Sequence, residues 1–364
     1  MHTSGQRAVS SKDYQSRLPE PGSAQAREEP VNDVPDVGSG QVDEFGFYNA
    51  AAGPVKAGEN LTLSQYRSLE SKWLSLTGSS ANVDGLALRK GRSNRKLKRL
   101  CRRGIPDSLR AKVWPWLTCS DLLRQEGLFA KISARPEDGG EIYDVIDRDI
   151  ERSYPDNIYF KTPSSGGTAP PALDDLRKVL YAYAQYRPEL GYTQGMGRLV
   201  GCLLLQMPAE SAFWTLARLV ESDWYMSGYY TPDLKGLKIN AAIFTILLRS
   251  HEPRISRHLE RHEIDPVLYL APWHMSLFTS TLPWKTVLRL WDAFLLDGSK
   301  LILRISLAIL GLIKDQLLRA DQEETYRLLL HPPIQILSVE SLFDRAFRLK
   351  IKRSTLRKLR ESLV

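Results

Sequence analysis

The chain has 364 residues, 43% apolar and 25% charged, and a formal net charge of +8. These proportions describe an ordinary globular protein with room for a large core, in one domain or two. No apolar run reaches the roughly 18 residues of a membrane span, the polar N-terminus has no secretory h-region, and three cysteines cannot build a disulfide framework or a four-cysteine zinc site, so a reducing, cytoplasmic setting is the expectation.

The charge is uneven. Residues 1–44 sum to −4, residues 89–103 hold nine Lys or Arg and no acid, and residues 345–360 hold eight and no acid. The remainder outside the two basic stretches is −9. Attraction to nucleic acid or to an anionic membrane can act only through those two segments.

In chain order, residues 1–60 read as a disordered tail, rich in Ser, Gly, Pro and Glu and poor in large apolar groups. Val42 to Tyr48 is an exception, with three aromatics in four positions; it reads either as a docking segment or as a chance cluster. Residues 61–102 form a helical and basic lead-in, with Leu63, Tyr66, Leu69 and Trp73 at helical spacing. After Gly104 amphipathic patterns recur between Pro and Gly punctuation. Asp107 is placed to cap a helix after Pro106, with Leu109, Val113, Trp116 and Leu117 on its buried stripe. Further helices are predicted over Tyr143–Ser153, from Leu173 toward Pro188, over Gly195–Gln206 and Ala209–Val220, and within Leu237–His262 with an interruption at Pro253. Pro283–Leu296 is stopped by Gly298, and Lys300–Leu318 and Val339–Lys352 complete the series. Almost nothing alternates with period two, so the fold class is all-α, with no solenoid repeat.

Several chemistries are missing. No G-x-x-x-x-G-K-[ST] or strand-linked G-x-G-x-x-G is present, so no nucleotide binds by those loops. His258 and His262 stand at i, i+4 without a third ligand, between Arg257 and Arg261, and read as a solvated helix face, not a metal site. Gly191 to Gly195 mimics a nucleophile elbow with Thr193 for Ser, but that motif needs a parallel sheet.

Three patterns remain: Arg103-Gly104-Ile105-Pro106 followed by Arg110-x-x-x-Trp114; Ile146-x-x-Asp149-x-x-Arg152; and Tyr192-x-Gln194-Gly195-Met196. Taken alone, the second is a polar helix end on which Asp149 and Arg152 can pair at i, i+3, and the third is a helix N-terminus with an exposed glutamine between glycines. In this order they resemble the signature motifs of the TBC domain, the catalytic module of Rab GTPase-activating proteins. Downstream blocks fit as well: Gly228-Tyr229-Tyr230, Ile264-Asp265-Pro266 with Ala271-Pro272-Trp273, and Leu282-Pro283 with Trp291-Asp292-Ala293-Phe294 and Gly298. The likeness runs from about Arg103 to about Lys314, and the segment Asp43 to Phe47 resembles the leader of the subfamily that includes carabin. Two departures are Thr193, where the family often has Cys, and His274, where an aromatic is usual.

The resemblance implies a multi-helix TBC domain over 103–318; 319–364 reads as a basic helical extension whose apolar face, Leu342, Phe343, Ala346 and Phe347, packs back on the domain. It implies an activator that supplies two groups in trans to a Rab-family GTPase in its GTP state and so regulates vesicle trafficking. Arg152 would be the arginine finger; guanidinium suits the task because it stays charged and forks onto phosphate oxygens. Asp149, with Ile146 on the same motif, would hold the finger. Gln194 would orient the attacking water, since an amide can donate and accept at once, and Tyr192 and Gly195 would shape its loop. Arg110 and Trp114 would brace the N-terminal helices. GTP and Mg²⁺ would belong to the GTPase, so no cofactor is expected. The alternatives are an inactive Rab-binding scaffold, which predicts loss of the finger or the glutamine, and a nucleic-acid adaptor acting through 89–103, which lacks interleaved aromatics. Nucleic acid is therefore not expected; 89–103 reads first as a solvated lead-in to the domain and second as an attraction to anionic lipid, through which the protein would be peripherally recruited to membranes.

Overall fold

The computed structural model describes residues 42–48, 62–78, 95–134, 140–162 and 169–363. Among them are seventeen α-helices, two short 3-10 turns and isolated β-bridges, with no strand, so the fold is all-α. The first group is α1 (Leu63–Gly78), α2 (Arg95–Arg103), α3 (Asp107–Thr118), α4 (Leu128–Ser133), α5 (Glu141–Ser153) and α6 (Pro171–Tyr186). Next come α7 (Met196–Leu204), α8 (Ala209–Glu221), α9 (Lys235–His251), α10 (Pro253–Arg261), α11 (Pro266–Met275) and α12 (Trp284–Asp297). The last are α13 (Ser299–Leu312), α14 (Lys314–Leu317), α15 (Gln322–Leu330), α16 (Val339–Arg348) and α17 (Arg353–Leu363). No helix among the described residues is long and apolar enough to cross a membrane.

Proline and glycine set the boundaries for local reasons. Pro253 opens α10, because it has no N–H to give to α9 but sits without strain at a first helical position. Gly298 ends α12 with φ +65°; its N–H donates to the Phe294 carbonyl at 2.7 Å, and a Cβ there would lie 2.3 Å from the Trp224 carbonyl oxygen. Asp107 does not cap α3 as expected. Pro106 occupies the N-cap with no side-chain bond, and Asp107 instead pairs with Arg110 one turn on. The helix expected over Lys300–Leu318 bends at buried Ile313, after which Lys314 Nζ reaches Glu252 at 2.7 Å.

The core is built around five fully buried tryptophans: Trp73, Trp114, Trp214, Trp273 and Trp291. Burying an indole N–H without a partner is costly, and four of the five find one: Gly104, Asp292, Leu329 and Leu277 oxygens accept from Trp73, Trp114, Trp273 and Trp291 at 2.8–3.3 Å. Beyond residue 318, α15 meets α11 through the Trp273–Leu329 bond, and α16 packs on α13 with Leu342, Phe343 and Ala346 buried. His258 is not on a solvated face; it is buried, with Nε2 3.2 Å from Thr325 Oγ1 on α15.

His274 is fully buried on α11, with Nε2 2.8 Å from Ser306 Oγ. Burial pushes its pKa down to about 3. The unfolded chain therefore binds a proton near pH 6.5 that the folded chain refuses, and stability from this group falls as pH drops below that value. The expected loss at pH 5 relative to pH 7 is about 2 kcal/mol. His274→Phe should remove that component from urea unfolding curves, since Ser306 Oγ keeps a bond to the Ile302 carbonyl; an unchanged pH slope would refute the assignment.

Of the expected tail, residues 1–41 and 49–60 lie outside the described residues. Val42–Tyr48 is docked, which resolves the two readings of its aromatics. Asp43 Oδ1 accepts from the Phe45 and Phe47 N–H groups, both at 2.9 Å, closing a tight loop. The loop pairs with the chain just after α5: Ile158 N donates to the Gly46 carbonyl and Tyr48 N to the Asp156 carbonyl, both at 2.9 Å, and Asn157 Nδ2 to the Phe45 carbonyl at 3.0 Å. Phe47 packs on Trp284, with ring centroids 5.0 Å apart. Phe47→Ala should lower stability by about 1–2 kcal/mol, the cost of a half-buried aromatic, read from the urea midpoint.

Candidate functional site

The site begins at the last turn of α5. The i, i+3, i+4 spacing sends Ile146 and Ile150 into the core and leaves Asp149 at the boundary. Arg152 projects outward with its side chain 64% exposed, against 9% for Asp149, and the two approach to 3.9 Å. Arg152 Nε donates to the Arg148 carbonyl at 3.0 Å, which aims the guanidinium, and Nη2 makes only the 3.9 Å contact with Asp149. Arg148 is also exposed, but it only back-bonds to the Asp144 carbonyl, at 3.1 Å, and takes no part in the carboxylate network.

The second half of the site is the turn before α7. Gly195 has φ +104°, a left-handed conformation that suits glycine, and this turns the chain into the apolar helix. Two groups of this turn reach back to α5: the Tyr192 hydroxyl donates to Asp149 Oδ2, and the Gly195 N–H donates to the same oxygen at 3.3 Å. Gln194 lies between these two anchors, exposed, with no side-chain hydrogen bond among the described residues. Thr193 Oγ1 donates to the Tyr230 carbonyl at 3.1 Å, and the Tyr230 hydroxyl to the Met275 carbonyl at 2.5 Å, tying the turn to α11. One carboxylate therefore joins Arg152, Tyr192 and Gly195, across 42 residues between Arg152 and Gln194.

Burial and then the Asp149 carboxylate push the Tyr192 phenol far up, so it stays protonated and a donor. Three residues that sequence reasoning passed over complete the site. A Cβ at Gly197 would lie 2.4 Å from Ser153 Oγ and 3.2 Å from Asp149 Oδ2, so only glycine lets α7 approach this closely. The Tyr154 hydroxyl donates to the Arg198 carbonyl at 2.6 Å, and Arg198 Nη2 to the Arg152 carbonyl at 3.4 Å, closing the end of α5 against α7. The available signal was the Gly195-Met196-Gly197 spacing at a helix start; nothing local marks Tyr154 or Arg198.

Arg110 and Trp114 are elsewhere. Both are buried on α3 and both donate to Asp292 of α12. They do not join the Asp149 network. Nor do the cavities: spaces of about 470 Å³ beside Gln316, Arg327 and Pro333 and about 400 Å³ beside Phe45, Leu204 and Trp284 are separate from it. Arg152 and Gln194 stand on open surface, which offers little enclosure to a small molecule but is open to a macromolecule. Among the described residues no group of three or more His, Cys, Asp or Glu side chains could hold a metal ion.

Residues 107–318 match the family model of the Rab-GTPase-TBC domain. This chain belongs to the Rab-GTPase-TBC family. As a TBC protein it is of the carabin-like kind: it is 36% identical to mouse carabin over 276 residues, covering 75% of this chain and 58% of carabin. It is 37% identical to mouse TBC1 domain family member 10A over 272 residues, covering 74% of this chain and 52% of that protein. The chain thus spans little more than half the length of these relatives. Among solved structures, the TBC domain of a Chlamydomonas flagellar RabGAP superposes with a TM-score of 0.65 over 85% of this chain and 99% of that one, at 24% identity. The Ypt/Rab-GAP domain of Gyp1p gives 0.62 over 78% and 98%, at 19% identity. These likenesses establish the TBC fold.

Proposed function

We propose that this TBC protein is a GTPase activator that completes the active site of a GTP-bound Rab-family GTPase with Arg152 and Gln194. The observation that carries this reading is the shared carboxylate. Asp149 pairs with Arg152 and also anchors both flanks of Gln194, so a cation and an amide are presented together on open surface.

Phosphoryl transfer from GTP to water spreads charge over the γ-phosphate and leaving oxygens, and an arginine from a partner stabilises it. Arg152 fits this task. Its Nε is committed to the backbone, and the 3.9 Å contact with Asp149 is loose enough to yield when the terminal nitrogens meet phosphate. Asp149 offsets part of the charge before binding and limits the rotamers the guanidinium explores. Gln194 can accept from a water while donating to a phosphate oxygen. Its backbone needs no rearrangement, because Tyr192 and Gly195 already pin the turn. GTP and Mg²⁺ arrive with the GTPase, and this chain contributes no cofactor. In this reading the protein acts in the cytoplasm at the surface of trafficking membranes.

Single-turnover GTP hydrolysis across a panel of purified Rab proteins tests the proposal, with the wild type beside Arg152→Ala and Gln194→Ala. Acceleration of one or a few Rabs, lost in both variants, is expected. Binding without acceleration of any Rab would replace this reading with that of an inactive scaffold.

A further inference from the structure

The described part of the first basic stretch, 95–103, and the distant second stretch, 345–360, meet in the fold; residues 89–94 lie outside the described residues. Lys98 and Arg102 come from α2, Lys300 and Arg304 from the first turns of α13, and Arg353 from the start of α17. Arg102, Lys300, Arg304 and Arg353 converge on Asp297, the last residue of α12, and Lys98 lies close enough to Lys300 to repel it. Arg102 Nη2 lies 3.4 Å from Asp297 Oδ2, and Arg353 Nη2 lies 3.9 Å from Oδ1 while donating to the Asp297 carbonyl at 2.7 Å. Two rings floor the cluster: the Arg102 guanidinium stands 3.9 Å from the Phe347 centroid, and that of Arg353 stands 3.7 Å from Trp224.

Among the described residues these five cations crowd a single cluster in which like charges repel and partial burial weakens screening. Burial, followed by Arg304 and Arg353, pulls the Lys300 ammonium down to about 8 against the opposing effect of Asp297. Arg304 is only 9% exposed, and its Nε, like that of Arg102, is buried without a partner among the described residues. Around this centre the charge spreads outward. Arg95, Arg99 and Arg103 on α2 and Arg357 and Lys358 on α17 are exposed; the one acid on these two helices is Glu361, 3.8 Å from Arg357 in an exposed pair that is worth little.

We propose that α2, the start of α13 and α17 together form a docking face for an anionic lipid membrane. The shape of the charge selects this partner. The positive groups cover two helices and a helix start, an extended surface and not a phosphate-sized pocket. Phe347 and Trp224 are covered by the guanidiniums of Arg102 and Arg353, which leaves no ring to stack on nucleic-acid bases. An anionic leaflet asks only for a dense, outward-facing set of Lys and Arg, each adding about fivefold to affinity near the surface. The face uses none of the elements that carry Arg152 and Gln194.

The test is flotation of the full chain with phosphatidylcholine vesicles, with and without phosphatidylserine, and with no GTPase present. Binding is expected to require phosphatidylserine and to fall steeply with salt. Lys98→Gln/Arg99→Gln on α2 and Arg357→Gln/Lys358→Gln on α17 should each weaken it about 25-fold, two charges at about fivefold each. Both variants should keep the wild-type urea midpoint, which separates loss of the face from loss of the fold. No binding to phosphatidylserine vesicles would overturn the proposal, as would binding that survives either pair of substitutions. Tighter binding to a short duplex RNA, or to soluble pyrophosphate, lost in the same variants, would reassign the face to those ligands. Because the vesicle assay contains no GTPase, its failure is distinct from failure of the activation assay.

Discussion

Arg152→Ala is expected to lower the single-turnover rate of the activated GTPase by about 10³-fold or more, within the range an arginine supplied in trans contributes to phosphoryl transfer. Binding of the GTPase should change little. The side chain is exposed, and its Nε bond to the Arg148 carbonyl and long contact with Asp149 are both solvent-accessible interactions worth little to the fold. Lysine should not rescue it, since an ammonium is a point charge that cannot fork onto two oxygens. Gln194→Ala should cost about 10²-fold, the usual scale for one aligned polar group at a reacting centre. The double variant should fall short of the product, because the two groups act on one transition state. A rate that survives Arg152→Ala would remove this residue from the mechanism and direct attention to Arg148.

Asp292→Ala is expected to destabilise the protein by about 3–5 kcal/mol, the cost of leaving a buried partner charge uncompensated. Asp292 is fully buried on α12 and accepts from the Ile105 N–H at 2.8 Å, Trp114 Nε1 at 2.8 Å, and Arg110 Nε and Nη2 at 3.2 and 3.4 Å. Burial alone would pull the Arg110 guanidinium down; Asp292, then Asp107, more than offset this and hold it above its ordinary value. Removing Asp292 leaves Arg110 Nε and Nη2, an indole N–H and a backbone N–H in the core with no acceptor, and the cation is then paired only with exposed Asp107 through Nη1. Adding Arg110→Met should recover part of the loss by removing the stranded charge, and urea denaturation of the two variants gives the comparison. A loss below about 1 kcal/mol for Asp292→Ala would mean that water replaces the carboxylate.

Much of the helical content was legible because the core is amphipathic. The α5, α8 and α12 patterns each place apolar residues on one face, and their starts follow Gly140, Pro208 and Pro283. The short helices were harder. The α4 helix has six residues, too few for a period to declare itself, and α11 carries Pro272 within an apolar run that reads as a loop signal. The docking of Val42–Tyr48 was undecidable from its residues, since its acceptors and donors, Asp156, Asn157 and Ile158, belong to a segment more than a hundred positions away.

The motif residues were named by their order along the chain: Arg110 and Trp114, then, for the candidate site, Asp149 and Arg152 followed by Tyr192, Gln194 and Gly195. Local sequence determines that Arg152 ends a helix facing outward and that Gln194 precedes an apolar one, because helical periodicity and glycine placement act within a few residues. It could not determine that one carboxylate joins the two, or that Arg110 and Trp114 share Asp292 instead. A carboxylate's choice of partner depends on which donors the packing of distant helices leaves within about 3 Å of it. For the same reason sequence showed two basic stretches, while only the tertiary structure brought them to a common face at Asp297.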